Sequence, residues 1–144
     1  MTSDDFASGA LGSLWTIEGP GGISGTVGAT ATDGYLELVT PDGSHDAWNA
    51  NNGARAMQDV ATDGDFALAT RFLTTPTERY QLQGILVEQD AGNWIRFDTY
   101  SDGNKLYAFA ATTENGSSAM QLRMAIPGNV AEYLRVTRDG DDWT

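Results

Sequence analysis

The stretch LQGILVEQDAGNWIRFDTY, residues 82–100, predicts two strands joined by a tight turn, because apolar and polar side chains alternate on both sides of a Gly-containing break. We predict a three-residue turn at 91–93. The cross-strand pairs that follow are Asp90 with Trp94 and Glu88 with Arg96. A two-residue turn at 91–92 would place Arg96 beside Val87 and mix polar with apolar side chains on both faces, and we reject it for that reason.

The predicted turn divides the side chains of the two strands between an apolar and a polar face. The apolar face, expected to lie in the core, consists of Ile85, Val87, Ile95, Phe97 and Thr99. The opposite side, here named the polar face, carries Gly84, Leu86, Glu88, Asp90, Trp94, Arg96, Asp98 and Tyr100. The next hairpin, around Asp102 and Gly103, extends the polar face with Tyr107 and Phe109.

Short alternating runs separated by Asp-Gly and Asn-Gly pairs continue along the chain, a pattern typical of antiparallel β-sandwiches. The predicted strands are Tyr35–Thr40, Phe66–Leu73, Leu82–Gln89, Trp94–Tyr100, Lys105–Thr112, Ala119–Ile126 and Tyr133–Arg138. We therefore predict an all-β fold, an antiparallel two-sheet β-sandwich, with residues 1–144 forming a single domain.

Composition narrows the classes of function. The 8 basic and 20 acidic residues give a net charge of -12, which repels nucleic acid and anionic membranes and suits neutral ligands or cations. The absence of Cys excludes disulfides, thiolate metal sites and a Cys nucleophile. No apolar run approaches the roughly 20 residues of a membrane span, so we expect no membrane insertion.

The mixture of rings and charges on the polar face is what a sugar requires, since pyranose C–H groups stack on aromatic rings while charged groups bond the hydroxyls. Trp94, Tyr100 and Tyr107 are the candidate stacking residues. Glu88, Arg96 and Asp98 are the candidate hydrogen-bonding residues. The alternative is that Glu88 and Arg96 form an ordinary surface ion pair, worth only about 0–1 kcal/mol.

Gln83 falls on the core side by simple alternation, where its amide would need partners. A β-bulge near Gly84 would turn this side chain toward the ligand, and we include Gln83 among the candidate binding residues on that hypothesis. Residues 41–60 form a loop that is long for a hairpin and contains His45 and Trp48, which leaves two interpretations open: a functional loop, or one in which Trp48 only packs.

Several segments of the chain resemble the concanavalin A-like lectin/glucanase superfamily, and in particular bacterial exported jelly-roll modules of the domain-of-unknown-function 1349 type. The segments are RYQLQGILVEQD (79–90), NWIRFD (93–98), DDF (4–6) with Trp15, SHDAWN (44–49), and YLRV (133–136) with Trp143. The resemblance implies a lectin-like, carbohydrate-binding module of a secreted protein, with glycan as its partner on a concave sheet. It places Glu88, Arg96, Tyr100 and Tyr107 on that sheet and His45, Asp46, Trp48 and Asn49 at its rim.

Catalysis is not implied in the same way, because the glucanase pattern of alternating acidic residues is incomplete. Glu88 and Asp90 match its first two positions, but the third is Gly92. A glycoside hydrolase or lyase using Glu88 with Asp90, or His45 with Tyr100, is therefore the first alternative. An adhesion or structural module of a large secreted protein is the second.

Calcium is the one metal that the sequence suggests, since Asp oxygens cluster near both termini. The candidates are Asp4, Asp5, Asp139, Asp141 and Asp142, for which solvated acidic turns are the favoured interpretation. Related modules continue past the position of Trp143, so we expect that C-terminal strands are missing. An edge left unpaired in this way would favour self-association.

Overall fold

The computed structural model describes residues 1–29, 34–60 and 63–144. The fold is all-β with antiparallel sheets, which confirms the predicted fold class. The chain forms two compact units, 1–63 and 64–144, while a single domain for the whole chain stays a prediction. In the described part of the chain, no helix is long and apolar enough to cross a membrane.

The first unit contains two small antiparallel sheets. Its strands are β1 (Thr16–Glu18), β2 (Ser24–Ala29), β3 (Gly34–Val39) and β4 (Arg55–Met57). Strand β1 pairs with β4, and β2 pairs with β3. The Arg55 guanidinium donates to Glu18 across the first of these sheets at 3.0 Å. Near the N-terminus, the Trp15 indole donates to Asp4 at 2.9 Å and packs against Phe6.

The second unit is built from seven strands and one short 3-10 turn, Pro127–Asn129. The strands are β5 (Phe66–Arg71), β6 (Leu82–Asp90), β7 (Asn93–Ser101), β8 (Leu106–Glu114), β9 (Ser117–Ala125), β10 (Tyr133–Asp139) and β11 (Asp142–Trp143). One sheet has the order β6-β7-β8-β9, and the other has the order β11-β10-β5. Each of the seven predicted strands overlaps an observed one. The sequence pattern missed β1, β2, β4 and β11, which are short or Gly-rich.

The core of the second unit lies between its two sheets. The ring of Trp143 is 5.7 Å from that of Phe66 and 5.8 Å from that of Phe97, measured between centroids. Ile85 and Val136 are buried. Burial of such a side chain stabilises the fold by about 1.5–3 kcal/mol. The apolar face predicted from alternation is thus the one that contacts the second sheet.

The hairpin between β6 and β7 differs from the prediction. Its loop has two residues, 91–92, and a β-bulge at Gln89 interrupts the register. Glu88 therefore pairs with Trp94, and Arg96 pairs with Leu86, so both predicted cross-strand pairs are wrong. The face assignments are nevertheless correct, because the extra residue of the bulge restores the alternation that a two-residue loop would have reversed.

A second β-bulge lies in β9. Leu122 pairs with Ala110 and Met120 pairs with Ala111, which leaves Gln121 as the extra residue. The side-chain amide of Gln121 donates to Thr112 Oγ1 at 2.9 Å. The turn before β9 is a two-residue hairpin of the type that needs two left-handed residues, and Asn115 and Gly116 supply them with φ of 50° and 76°.

The predicted bulge near Gly84 is absent, since β6 and β7 pair without a shift from Leu82 to Glu88. Gln83 therefore stays on the side of Ile85, and its amide is satisfied by Thr74: it donates to the carbonyl at 2.8 Å and accepts from the hydroxyl at 2.9 Å. Gln83 as a ligand-binding residue on the polar face is a wrong prediction.

At the C-terminal end of the chain, β11 adds an outer strand to β10. Thr137 and Thr144 exchange two backbone hydrogen bonds, of 2.7 and 3.0 Å. The residues after the Asp139–Gly140 turn thus pair with the sheet and place Trp143 in the core. The expectation of missing strands stays a prediction.

Candidate functional site

The polar face lies on the side of the β6–β9 sheet that points away from Trp143. The register brings together Leu82, Gly84, Leu86 and Glu88 of β6, Trp94, Arg96, Asp98 and Tyr100 of β7, Tyr107, Phe109, Ala111 and Thr113 of β8, and Ser118, Met120, Arg123 and Ala125 of β9. Six predicted binding residues therefore share one face as expected. These six are Glu88, Trp94, Arg96, Asp98, Tyr100 and Tyr107.

The centre of this face is closed to solvent. We name it the buried centre, consisting of Trp94, Arg96 and Asp98. Trp94 is only 3% exposed, so it has no ring surface to offer a sugar, and its predicted stacking role is wrong. The neighbouring Ala111 and Thr113 of β8 are also buried. Packing is thus the role that the geometry gives to this part of the face.

Asp98 is the unusual residue of the buried centre. It is 3% exposed, and neither of its oxygens accepts a hydrogen bond from any described residue. Arg96 Nε lies 3.4 Å from Asp98 Oδ2, and the Arg96 side chain is 12% exposed. Burial raises the pKa of Asp98 to about 6, although the Arg96 charge opposes this rise. The Arg96 guanidinium also lies 5.0 Å from the centroid of Phe109.

Gly84 makes room for this carboxyl. It pairs directly with Asp98, and a Cβ atom at Gly84 would lie only 2.6 Å from the Asp98 Cβ. A larger side chain would have to displace β7, because the contacts include its backbone. The glycine in this strand is therefore explained by close packing and not by a bulge.

The other end of the polar face is more open. We name it the exposed end, consisting of Tyr100, Tyr107 and Arg123. The rings of Tyr100 and Tyr107 stack across β7 and β8 with centroids 5.6 Å apart and an angle of 28°. Phe109 approaches Tyr100 edge-on at 5.7 Å. The Arg123 guanidinium lies 3.8 Å from the Tyr107 ring centroid, and the Arg123 side chain is 39% exposed.

Asp102 anchors the exposed end through the hairpin between β7 and β8. One of its oxygens accepts from the backbone N–H of Asn104 and of Lys105, at 2.9 and 2.8 Å. The other accepts from the Tyr107 hydroxyl at 2.9 Å and lies 3.7 Å from Arg123. The Lys105 N–H, followed by the Tyr107 hydroxyl, lowers the pKa of Asp102. The same hydrogen bond to Asp102 raises the pKa of Tyr107.

Arg123 is a residue that sequence reasoning missed. With regular pairing after the Asn115–Gly116 turn, Leu122 would lie opposite Phe109 on the polar face. The bulge at Gln121 places Arg123 there instead. No signal in the local sequence marks this bulge, since Gln121 lies in a run of ordinary strand residues.

Asp90, one of the two carboxylates of the hydrolase alternative, is occupied by the turn that follows β6. Asp90 closes the turn: it accepts from the Gly92 N–H and from the Asn93 amide, both at 2.8 Å. The Gly92 bond in particular lowers the pKa of Asp90, which opposes a role as a general acid. The bulge at Gln89 also interrupts the strand alternation between the two carboxylates.

The four predicted rim residues belong to the first unit, whereas the polar face belongs to the second. His45 Nε2 donates to the Pro41 carbonyl at 2.7 Å, and Asp46 accepts from the Trp48 N–H at 2.8 Å. Trp48 and Asn49 are exposed. A rim position for these residues stays a prediction.

A metal centre finds no support in the described ranges 1–29, 34–60 and 63–144, where no three His, Cys, Asp or Glu side chains gather. Asp4 and Asp5, two of the proposed calcium ligands, accept backbone hydrogen bonds from Phe6 and Ala7 within their own loop. Such bonds are typical of Asx turns.

No protein-family model, no curated protein and no solved structure matches this chain.

Proposed function

We propose that this chain is a carbohydrate-binding module and that it holds glycan on the exposed end of the polar face. The observation that carries the proposal is the stacked Tyr100–Tyr107 pair, which Arg123 covers at 3.8 Å from one ring centroid. Aromatic rings, hydroxyls and a guanidinium are presented together on a regular sheet surface. This combination suits a ligand with apolar C–H faces and many hydroxyls.

Rigidity supports the proposal. Tyr107 is held by its hydrogen bond to Asp102, and Tyr100 is held between Tyr107 and the edge of Phe109. Side chains that are already ordered lose little conformational entropy when a ligand binds, which otherwise costs about 0.5–1.5 kcal/mol for each flexible side chain.

The proposal differs from the sequence-based hypothesis in its choice of residues. Trp94 and Asp98 are buried, so they support the face from within and do not contact sugar. Glu88 lies on the same face and is partly exposed, but it is separated from the exposed end by the buried centre, so its role in binding stays a prediction. Arg123 replaces Arg96 as the principal cation, because it is the more exposed of the two.

The test is affinity electrophoresis of the chain against a panel of neutral and acidic polysaccharides. Replacing Tyr100 with Ala removes the central ring of the cluster, and we expect binding to weaken roughly tenfold or more. The control is Tyr133→Ala, since Tyr133 is an exposed tyrosine on β10 of the other sheet, next to Arg71. Circular dichroism verifies that both variants are folded.

Equal weakening by the two substitutions would contradict the assignment of the site. Failure of the folded wild-type chain to bind any polysaccharide would contradict the function itself. It would leave the adhesion-module interpretation, in which the same aromatic surface contacts a protein.

A further inference from the structure

Three of the eight basic residues gather around one hairpin of this acidic chain. We name this group the basic end, consisting of Arg79, Lys105 and Arg123. Lys105 closes the hairpin that follows β7, through its bonds to Asp102. Arg123 lies 3.7 Å from Asp102. Arg79 is next to the same turn, since a Cβ atom on Gly103 would lie 3.4 Å from the Arg79 Cβ.

Two cations of the basic end, Arg79 and Lys105, are less neutralised than Arg55 and Arg71. Arg55 lies 3.0 Å from Glu18, and Arg71 lies 2.6 Å from Glu132. Within the described ranges, by contrast, Arg79 and Lys105 have no carboxylate within 4.0 Å.

The acidic residues of the same segments do not remove this excess of positive charge. Asp102 and Glu78 supply two negative charges against the three positive charges of the basic end. Glu78, which precedes Arg79, makes no ion pair with a described residue. A chain with a net charge of -12 therefore carries a local site that is attractive to anions.

Aromatic rings hold two of the three cations. The Arg79 guanidinium lies 4.7 Å from the Tyr80 ring centroid, and Arg123 lies 3.8 Å from that of Tyr107. Tyr80 is 67% exposed, and its backbone N–H donates to the Ser101 carbonyl at 2.8 Å, which fixes it beside the end of β7. Cations that are ordered on rings keep outward N–H donors for a ligand.

We infer that the glycan bound at the exposed end is acidic, a polysaccharide built from hexuronate units. This inference rests on the proposed carbohydrate-binding function and specifies its ligand class. The planar guanidinium of Arg123 matches a carboxylate in a two-bond arrangement, and the tyrosines contact the sugar ring that bears it. Arg79 and Lys105 attract the carboxylates of neighbouring units. The acidic remainder of the chain repels a polyanion elsewhere on its surface and so confines binding to this end.

The experiment compares polygalacturonate with its fully methyl-esterified form, which has the same backbone without the charge. Binding is measured by affinity electrophoresis and by titration calorimetry at two salt concentrations, with dextran sulfate and single-stranded DNA as further arms. We expect binding to polygalacturonate, at least tenfold weaker binding to the ester, and weaker binding in high salt. Arg123→Gln should lower the affinity roughly tenfold, as expected for a charge-assisted hydrogen bond.

Arg71→Gln is the matched control, since Arg71 lies outside the basic end with a side chain that is 48% exposed against 39% for Arg123, and its removal should leave polygalacturonate binding unchanged. Equal binding of the acid and the ester, or no effect of Arg123→Gln, would overturn the inference while leaving carbohydrate binding intact. Stronger binding of dextran sulfate or DNA than of polygalacturonate would overturn the choice of hexuronate. No binding to any polysaccharide would overturn the proposed function and this inference together.

Discussion

Two aspartate–arginine pairs at the polar face differ in almost every physical respect. Asp98 and Arg96 are buried and 3.4 Å apart, and no described residue donates a hydrogen bond to the carboxyl. Asp102 and Arg123 are 3.7 Å apart and partly exposed, and the carboxyl accepts three hydrogen bonds. Burial raises the pKa of Asp98, while hydrogen bonds lower that of Asp102. The first pair belongs to the packing of the sheet, and the second lies at the exposed end, where we propose that glycan binds.

The largest expected difference between the two pairs is the loss of stability when the arginine of each is replaced. Arg96→Met leaves the Asp98 carboxyl buried without its charged neighbour, a change that typically costs about 3–5 kcal/mol of unfolding free energy near neutral pH. Arg123→Met removes a partly exposed charge and should change stability little. Urea denaturation of both variants measures the difference. A loss for Arg96→Met that is no larger than the loss for Arg123→Met would show that Asp98 does not depend on its neighbour.

The pH dependence of stability should also differ between the Asp98 and Asp102 carboxyl groups, with a smaller expected effect. The pKa of Asp98 is raised from 3.8 to about 6 in the folded chain, so the folded state holds a proton that the unfolded state releases. The contribution of Asp98 to the free energy of unfolding is fully present below pH 3.8 and is lost as the pH rises through about 6. This rise of the Asp98 pKa corresponds to about 3 kcal/mol of unfolding free energy at most.

Asp98→Asn is the substitution that tests this, because an amide of the same shape does not titrate. We expect the stability of Asp98→Asn relative to the wild type to rise between pH 4 and pH 6, because only the wild type loses the Asp98 contribution there, as measured by thermal unfolding across that range. Asp102 contributes with the opposite sign, since its lowered pKa favours the folded state above 3.8 and the contribution is lost in acid. If the stability of the wild type and that of Asp98→Asn changed by the same amount between pH 4 and pH 6, the burial argument would be contradicted.

The smallest expected effect concerns the hydrogen bond inside the exposed pair. Tyr107→Phe removes the hydroxyl that donates to Asp102 at 2.9 Å. The pKa of Asp102 should then move back toward its ordinary value without reaching it, because the Lys105 and Asn104 N–H groups still donate. Carboxyl titration by NMR measures this shift, and the pKa of Asp98 in the same spectra is the internal control. No shift of the Asp102 pKa would mean that the bond is not maintained in solution.

Much of the fold was predictable from local patterns. The alternating runs gave every long strand of the second unit, and the Asn115–Gly116 pair gave a hairpin with both residues in the left-handed region. These features depend on neighbouring residues in the sequence, so a short window contains the necessary information. Three-residue strands such as β1 and β4 show no such periodicity, because they are too short to display it.

The candidate site was predictable only in part. The composition of the polar face on β6 and β7 followed from alternation, although the pairs across the ladder did not. Trp94 illustrates the reason: alternation assigns a side to a residue but does not say whether that side is covered, and Trp94 is covered. Arg123 illustrates the converse, since a bulge distant from any sequence signal brought it to the face.

The charges of the chain also have one property that the sequence determines and one that depends on the fold. The net charge of -12 is a property of composition, and it predicts repulsion of polyanions by the molecule as a whole. The clustering of Arg79, Lys105 and Arg123 depends on contacts between segments that are far apart in the chain. Coulomb interactions are governed by distance in space, and screening limits them to about 8–10 Å in physiological salt. Strand alternation therefore determined the class of fold and the two faces of the sheet, whereas the two bulges and the packing of the hairpins determined which charges meet on one of them.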